Sequence, residues 1–148
     1  MAAWRLATVV FLVAALFNFP WELAQSPLYV AMPPLPARLW CCFVASLGDG
    51  VLLLLLWVAG WAVFRQKVWF GSPSAVRYVA MVVAGVGLGV VVEVAALEAG
   101  RWSYGPQMPR IGSVGVTPLL QMVLLPPLIF TLTARLVGLG KVVRPSQN

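Results

Sequence analysis

The sequence predicts an all-α, polytopic membrane protein, with four transmembrane helices in one compact bundle and both termini in the cytoplasm. Three observations lead there. The 148 residues are 61% hydrophobic and 9% charged, with a mean hydropathy of +0.94, whereas charged residues make up about a quarter of a soluble domain. Apolar runs long enough to span a bilayer as helices, about 20 residues each, cover 6–24, 39–64, 78–97 and 115–133. Runs such as VLLLLLWVAGWAVF are continuous, whereas a transmembrane barrel requires ten-residue segments of alternating polarity, roughly. No Ser/Gly linker, charge block or repeat divides residues 1–148, so a single domain is expected.

The first run follows Arg5 and has the outline of a signal peptide. The only small-residue cleavage pattern nearby, AQS, is followed by Pro27, so a retained helix is expected. This run closes with FNFPWELAQSPLY, where Asn18, Glu22 and Gln25 recur at i, i+4 and i+7 and share one helix face. Pro20 lacks an N–H and should free the Leu16 carbonyl beside that stripe.

The second run carries Cys42, Ser46 and Asp49 on one small and polar face, with Gly48 and Gly50 expected to let another backbone come close to the carboxylate. In the third, Gly85, Gly89 and Glu93 follow at i+4 steps, a ridge of small residues suited to close helix packing, and Glu98 ends the span. The loop EAGRWSYGPQMPRIG supplies Arg101, Trp102 and Tyr104. Thr117, Pro118 and Gln121 open the fourth run, and Pro126 with Pro127 interrupts it.

Basic residues set the orientation. Seven (Arg5, Arg65, Lys67, Arg77, Arg135, Lys141, Arg144) fall on one side and three (Arg38, Arg101, Arg110) on the other. The richer side is assigned to the cytoplasm of a bacterial inner membrane. Trp4, Trp40, Trp69 and Trp102 lie near span ends, where amphipathic aromatics favour the interface. Gln25 and Gln107 are expected to face outside.

All four acids, Glu22, Asp49, Glu93 and Glu98, lie within or at the end of a span. A charged carboxylate at mid-bilayer costs at least ~2.5–3.5 kcal/mol, so each should face a bundle interior, find a partner or hold a proton. Counting along the helices puts Glu22 and Glu98 near the outer surface, Glu93 deeper and Asp49 near the midplane. Arg38 and Arg101 are candidates to latch onto these carboxylates. Trp102 and Tyr104 are candidates to cover the site, Tyr104 with a hydrogen bond to donate.

Histidine is absent, which removes the commonest metal ligand and the usual base near neutral pH. Cys41 and Cys42 are adjacent, form neither a structural disulfide nor a CxxC pair, and are expected to be small buried side chains. No metal or cofactor site is expected. The basic residues fall between apolar runs rather than in a patch with interleaved aromatics, which argues against nucleic acid. Carboxylate chemistry in an apolar site is what remains, and a desolvated carboxyl group can act there as a neutral acid toward a lipid-borne double bond.

At the level of motifs, WELAQSPLY, GD in the second span, ExxxxExGRWSYxxxMP and GxxPLLQxxxLPP resemble a set of small bacterial four-helix membrane proteins of unknown activity. The segment from Glu93 to Gln121 more faintly resembles small-subunit lycopene cyclases and related carotenoid membrane enzymes, which have an acid, a W-x-F/Y loop and a later Pro-Leu-Glu-Glu motif. Pro118 and Leu119 fit that motif, and Leu120 with Gln121 stands where its acid pair belongs. The resemblance implies acid-assisted isoprenoid chemistry.

The resulting expectation is a pocket in the outer half for a lipophilic, isoprenoid-like ligand. Glu93, Asp49, Glu22 and Glu98 are the candidate acids, and Asn18, Trp21, Gln25, Arg101, Trp102, Tyr104 and Gln121 the candidate binding residues. Two other readings fit the same residues: a non-enzymatic subunit of a membrane complex, and a proton or small-solute path through a homo-oligomer.

Overall fold

The structure, a computed structural model, describes residues 1–71 and 74–138. Four long apolar helices dominate it: α1 (Ala3–Gln25), α2 (Ala37–Phe64), α3 (Ala75–Glu98) and α4 (Val116–Leu136). Each is long and apolar enough to cross a membrane, which makes the chain an all-α, multi-pass membrane protein. Three of the helices begin two or three residues before the apolar runs do. Backbone groups near a bilayer gain from continued helical hydrogen bonding even where the side chains turn polar. Lys141 and Arg144, counted for orientation, lie outside the described residues.

Helix α1 packs closely against α2 and α4, and α4 against α3, while α2 and α3 touch at few places. Glycines set the close approaches. A Cβ on Gly50 would lie 2.8 Å from the Phe11 ring, so α1 and α2 meet only because that side chain is missing. On α3, Gly85 and Gly89 pack against Met122 of α4. Pro126 has no N–H to offer the Met122 carbonyl one turn earlier, and a Cβ on Gly85 would stand 3.2 Å from that oxygen. Gly48 has nothing within 4 Å of its Cβ direction, so of the two glycines flanking Asp49 only Gly50 serves a close contact.

The half of the bundle nearer the chain termini is filled by apolar side chains, among them Leu6, Val10, Leu53, Leu56, Ile129 and Phe130. Residues 65–71, after α2, fold under them. Trp69 packs with its ring 5.2 Å from that of Phe130, tilted by 55°, and donates its indole N–H to the Trp57 carbonyl at 3.1 Å. Arg77 holds the Trp69 carbonyl at 2.8 Å. Trp69 is thus 1% exposed, a core residue and not the interfacial anchor its position suggested, whereas Trp4 and Trp40 are each 67% exposed. A cavity of about 10 Å³ opens beside it, lined by Trp69, Phe70, Arg77, Tyr78 and Met81.

Two short strands, β1 (Arg110–Ile111) and β2 (Val114–Gly115), pair antiparallel just before α4. Gly112, at φ 62°, supplies the left-handed residue that their tight turn needs. Cys42 is buried, but Cys41 is exposed, contrary to the expectation that both would be inside. Adjacent helical residues point about 100° apart, so the pair cannot share one environment.

Candidate functional site

The stripe on α1 meets α2 and α4 through one side chain. Gln121 of α4 donates from Nε2 to Asn18 Oδ1 at 2.7 Å, Asp49 Oδ2 at 2.9 Å and Glu22 Oε1 at 3.2 Å. Gln25 Nε2 donates to the same Glu22 oxygen at 2.7 Å and to Gln121 Oε1 at 3.3 Å. Asn18 completes the order by giving its own N–H to the Ala14 carbonyl at 2.8 Å. The carboxyl groups of Glu22 and Asp49 also lie within hydrogen-bonding reach of each other. Asn18, Gln25 and Gln121 are buried, and Glu22 and Asp49 half-buried.

Asp49, counted to the midplane, shares one level with Glu22, counted to near the surface, since Gln121 bonds both. Its partner Glu22 is three residues from the end of α1, and Gln121 lies in the second turn of α4. Asp49 lies well inside α2, at 28 residues the longest helix, so α2 is offset along its axis from both neighbours.

Glu93 is organised by the way α3 ends. Gly100, at φ 64°, lets the Gly100 and Arg101 N–H groups turn back onto the Leu97 and Ala96 carbonyls at 3.1 and 2.9 Å, the Schellman pattern. The loop then returns over the helix it has just left. Trp102 Nε1 reaches Glu93 Oε2 at 3.3 Å, and the Tyr104 hydroxyl donates to the same oxygen. The Tyr104 phenol is pushed up to about 12, by burial first and by its bond to Glu93 second. Tyr29, with its ring 5.5 Å from that of Tyr104, is raised as well, mainly by burial.

Backbone bonds close the acid end of the bundle. The Gly105 N–H reaches the Leu28 carbonyl at 2.8 Å and the Val30 N–H reaches the Ser103 carbonyl at 2.9 Å, tying the loop after α1 to the loop after α3. Arg110 lies over the Tyr104 ring at 5.3 Å and donates to the Tyr104 carbonyl at 3.3 Å.

Of the expected residues, the fold gathers Asn18, Glu22, Gln25, Asp49 and Gln121 in one network, and Glu93, Trp102 and Tyr104 in a second. Trp21 lies on the α1 face of the first. Glu98 and Arg101 join neither, and both are exposed. Five residues past Glu93, Glu98 is rotated about 140° around α3 and points away. Arg38 forms no latch either, since its Nε donates to the Pro33 carbonyl at 3.0 Å. Gln25, expected to face outside, is 6% exposed, held in by Glu22 and Gln121. Leu16, whose carbonyl Pro20 frees, is 70% exposed, on the far side of α1 from the stripe. Tyr29 and Arg110 were not singled out from sequence, because loop residues show no periodicity that would reveal whom they meet.

Chemically, the first network offers two carboxyl groups facing one another with only neutral amides as donors. The second offers a carboxyl oxygen that accepts twice. Among the described residues, no group of His, Cys, Asp and Glu has the arrangement of a metal site. No family model matches the chain, and no curated protein or solved structure matches it either.

Proposed function

We propose that this protein binds a lipophilic, isoprenoid-like molecule at the outer-half acid cluster and acts on it by acid catalysis. The observation that carries the reading is the convergence of Glu22, Asp49 and Glu93 on one end of the bundle, with neutral donors around them and no basic side chain hydrogen-bonded to any of them among the described residues. Two facing carboxyl groups without a cation hold a proton between them more readily than two charges. Glu22 and Asp49 are therefore the proton-holding pair, with half-buried Asp49 as the donor to a double bond. Glu93, an acceptor from both Tyr104 and Trp102, supplies the counter-charge for a cation so formed, and the Trp21, Trp102 and Tyr104 rings add their faces. The ligand arrives sideways from the outer leaflet, a path supported by the sparse contact between α2 and α3. The motif likeness to small-subunit lycopene cyclases points to the same chemistry.

We place the chain in a bacterial inner membrane with both termini in the cytoplasm, on the strength of the seven-to-three division of basic residues. Native mass spectrometry from mild detergent tests the reading. A lipid or isoprenoid should copurify with the chain, be lost in Asp49→Asn and Glu93→Gln, and persist in Glu98→Gln. A ligand-free protein that stays so when supplied with isoprenoids would refute it.

One observation favours a second reading, a non-enzymatic subunit whose acids bind helices together: the Gln121 network ties α1, α2 and α4 to one another. Loss of complex assembly in Glu22→Gln, with ligand content unchanged, would select it.

A further inference from the structure

We propose that the ligand of this cluster is a long-chain alcohol, its hydroxyl held between Trp21 Nε1 and Gln25 Oε1. This rests on the ligand-binding reading above and adds the headgroup to it. These two atoms are buried and have no hydrogen-bond partner among the described residues. They belong to residues one turn apart on the same face of α1, beside Glu22. Gln25 is more than nine-tenths buried, and its amide lies within the acid network.

The network fixes which end of Gln25 is left over. Asn18 gives its N–H to the Ala14 carbonyl, so its oxygen must face Gln121 Nε2. Gln121 then turns its oxygen to Gln25, whose nitrogen serves both that oxygen and Glu22. Reversing Gln25 would set its oxygen against two others. The free acceptor therefore follows from the other bonds, and an unmet buried amide oxygen is costly enough to require a partner.

A buried donor and a buried acceptor one helical turn apart, both unmet, select the headgroup. A hydroxyl oxygen both donates and accepts, so one atom satisfies Gln25 Oε1 and Trp21 Nε1 together. A hydrocarbon meets neither. An ammonium group cannot accept from Trp21, and a phosphate ester would bring negative charge to three carboxyl groups that have no arginine bonded to them among the described residues. The tail would leave past Trp21 and Asp49, which are only half-buried.

The test titrates the purified protein in mild detergent with a long-chain prenyl alcohol, its methyl ether, its monophosphate and the corresponding amine. Tryptophan emission and native mass spectrometry follow binding. The alcohol should bind one per chain, and the ether, which cannot donate to Gln25, about tenfold more weakly. Trp21→Phe keeps the ring, loses the N–H and should weaken the alcohol about tenfold. Equal binding of alcohol and ether in the unmodified protein would overturn the hydroxyl assignment and leave the ligand-binding reading standing. Preference for phosphate or amine, or failure of all four compounds, would overturn it too.

Discussion

Replacing Gln121 by methionine removes the amide that joins three helices while keeping its length. The amide nitrogen has two protons and three acceptors, Asn18, Asp49 and Glu22, so it makes the equivalent of two full bonds. Interhelical hydrogen bonds in membranes average ~0.6 kcal/mol, which sets a floor of about 1.2 kcal/mol. The substitution also strands Asn18 Oδ1 and one carboxyl oxygen in the bundle, at roughly 1–3 kcal/mol for a buried group deprived of its partner. The expected loss is about 2–4 kcal/mol. It can be measured by reversible unfolding in mixed micelles of rising SDS content, followed by helical circular dichroism. A double-mutant cycle with Asn18→Leu should return a coupling of about 0.5–1.5 kcal/mol. A loss below about 0.5 kcal/mol, the range of an ordinary surface substitution, would refute the claim that this network holds the outer half together.

Three further outcomes follow from other parts of the molecule. Gly60→Ala should cost at least 1–3 kcal/mol, roughly, because its Cβ would stand 2.2 Å from the buried Trp69 ring, while Gly48→Ala, with nothing within 4 Å, should be neutral in the same unfolding assay. Because Tyr104 is raised from 10.0 to about 12, the stability that its neutral phenol contributes is whole below pH 10 and is lost as pH rises through about 12. Tyrosinate absorbance and unfolding, measured together, should show that alkaline loss in the native sequence and a smaller one in Tyr104→Phe. In a background without Cys41 and Cys42, Gln107→Cys should react with an impermeant maleimide from outside intact cells and Gln25→Cys should not, since Gln107 is exposed and Gln25 is 6% exposed.

The four spans could be read from sequence because a bilayer imposes length and apolarity directly on the chain. The polar stripe was equally legible, since Asn18, Glu22 and Gln25 are placed by helix periodicity alone, and Gly85, Gly89 and Glu93 likewise share one buried face. Glu98 could have been set aside by the same arithmetic, as an i+5 step from Glu93 carries it off that face. What could not be read is whatever depends on how far one helix projects past another. Asp49 lies deep along its own helix and Glu22 near the end of its own, yet one amide bonds both, and no local pattern encodes that offset. The loop partners were hidden for a similar reason: Tyr29 meets Tyr104 only because Gly100 turns the third loop back over the bundle.

The backbone ties from Leu28 to Gly105 and from Val30 to Ser103 join two loops at the acid end, and on the proposed sideways entry the bilayer sets which concentration a binding partner is judged by. A molecule that comes to Asp49 through the bilayer first partitions into it, so occupancy follows its mole fraction among the lipids. Diluting such a system with buffer would leave binding unchanged, whereas diluting it with lipid or detergent would lower it.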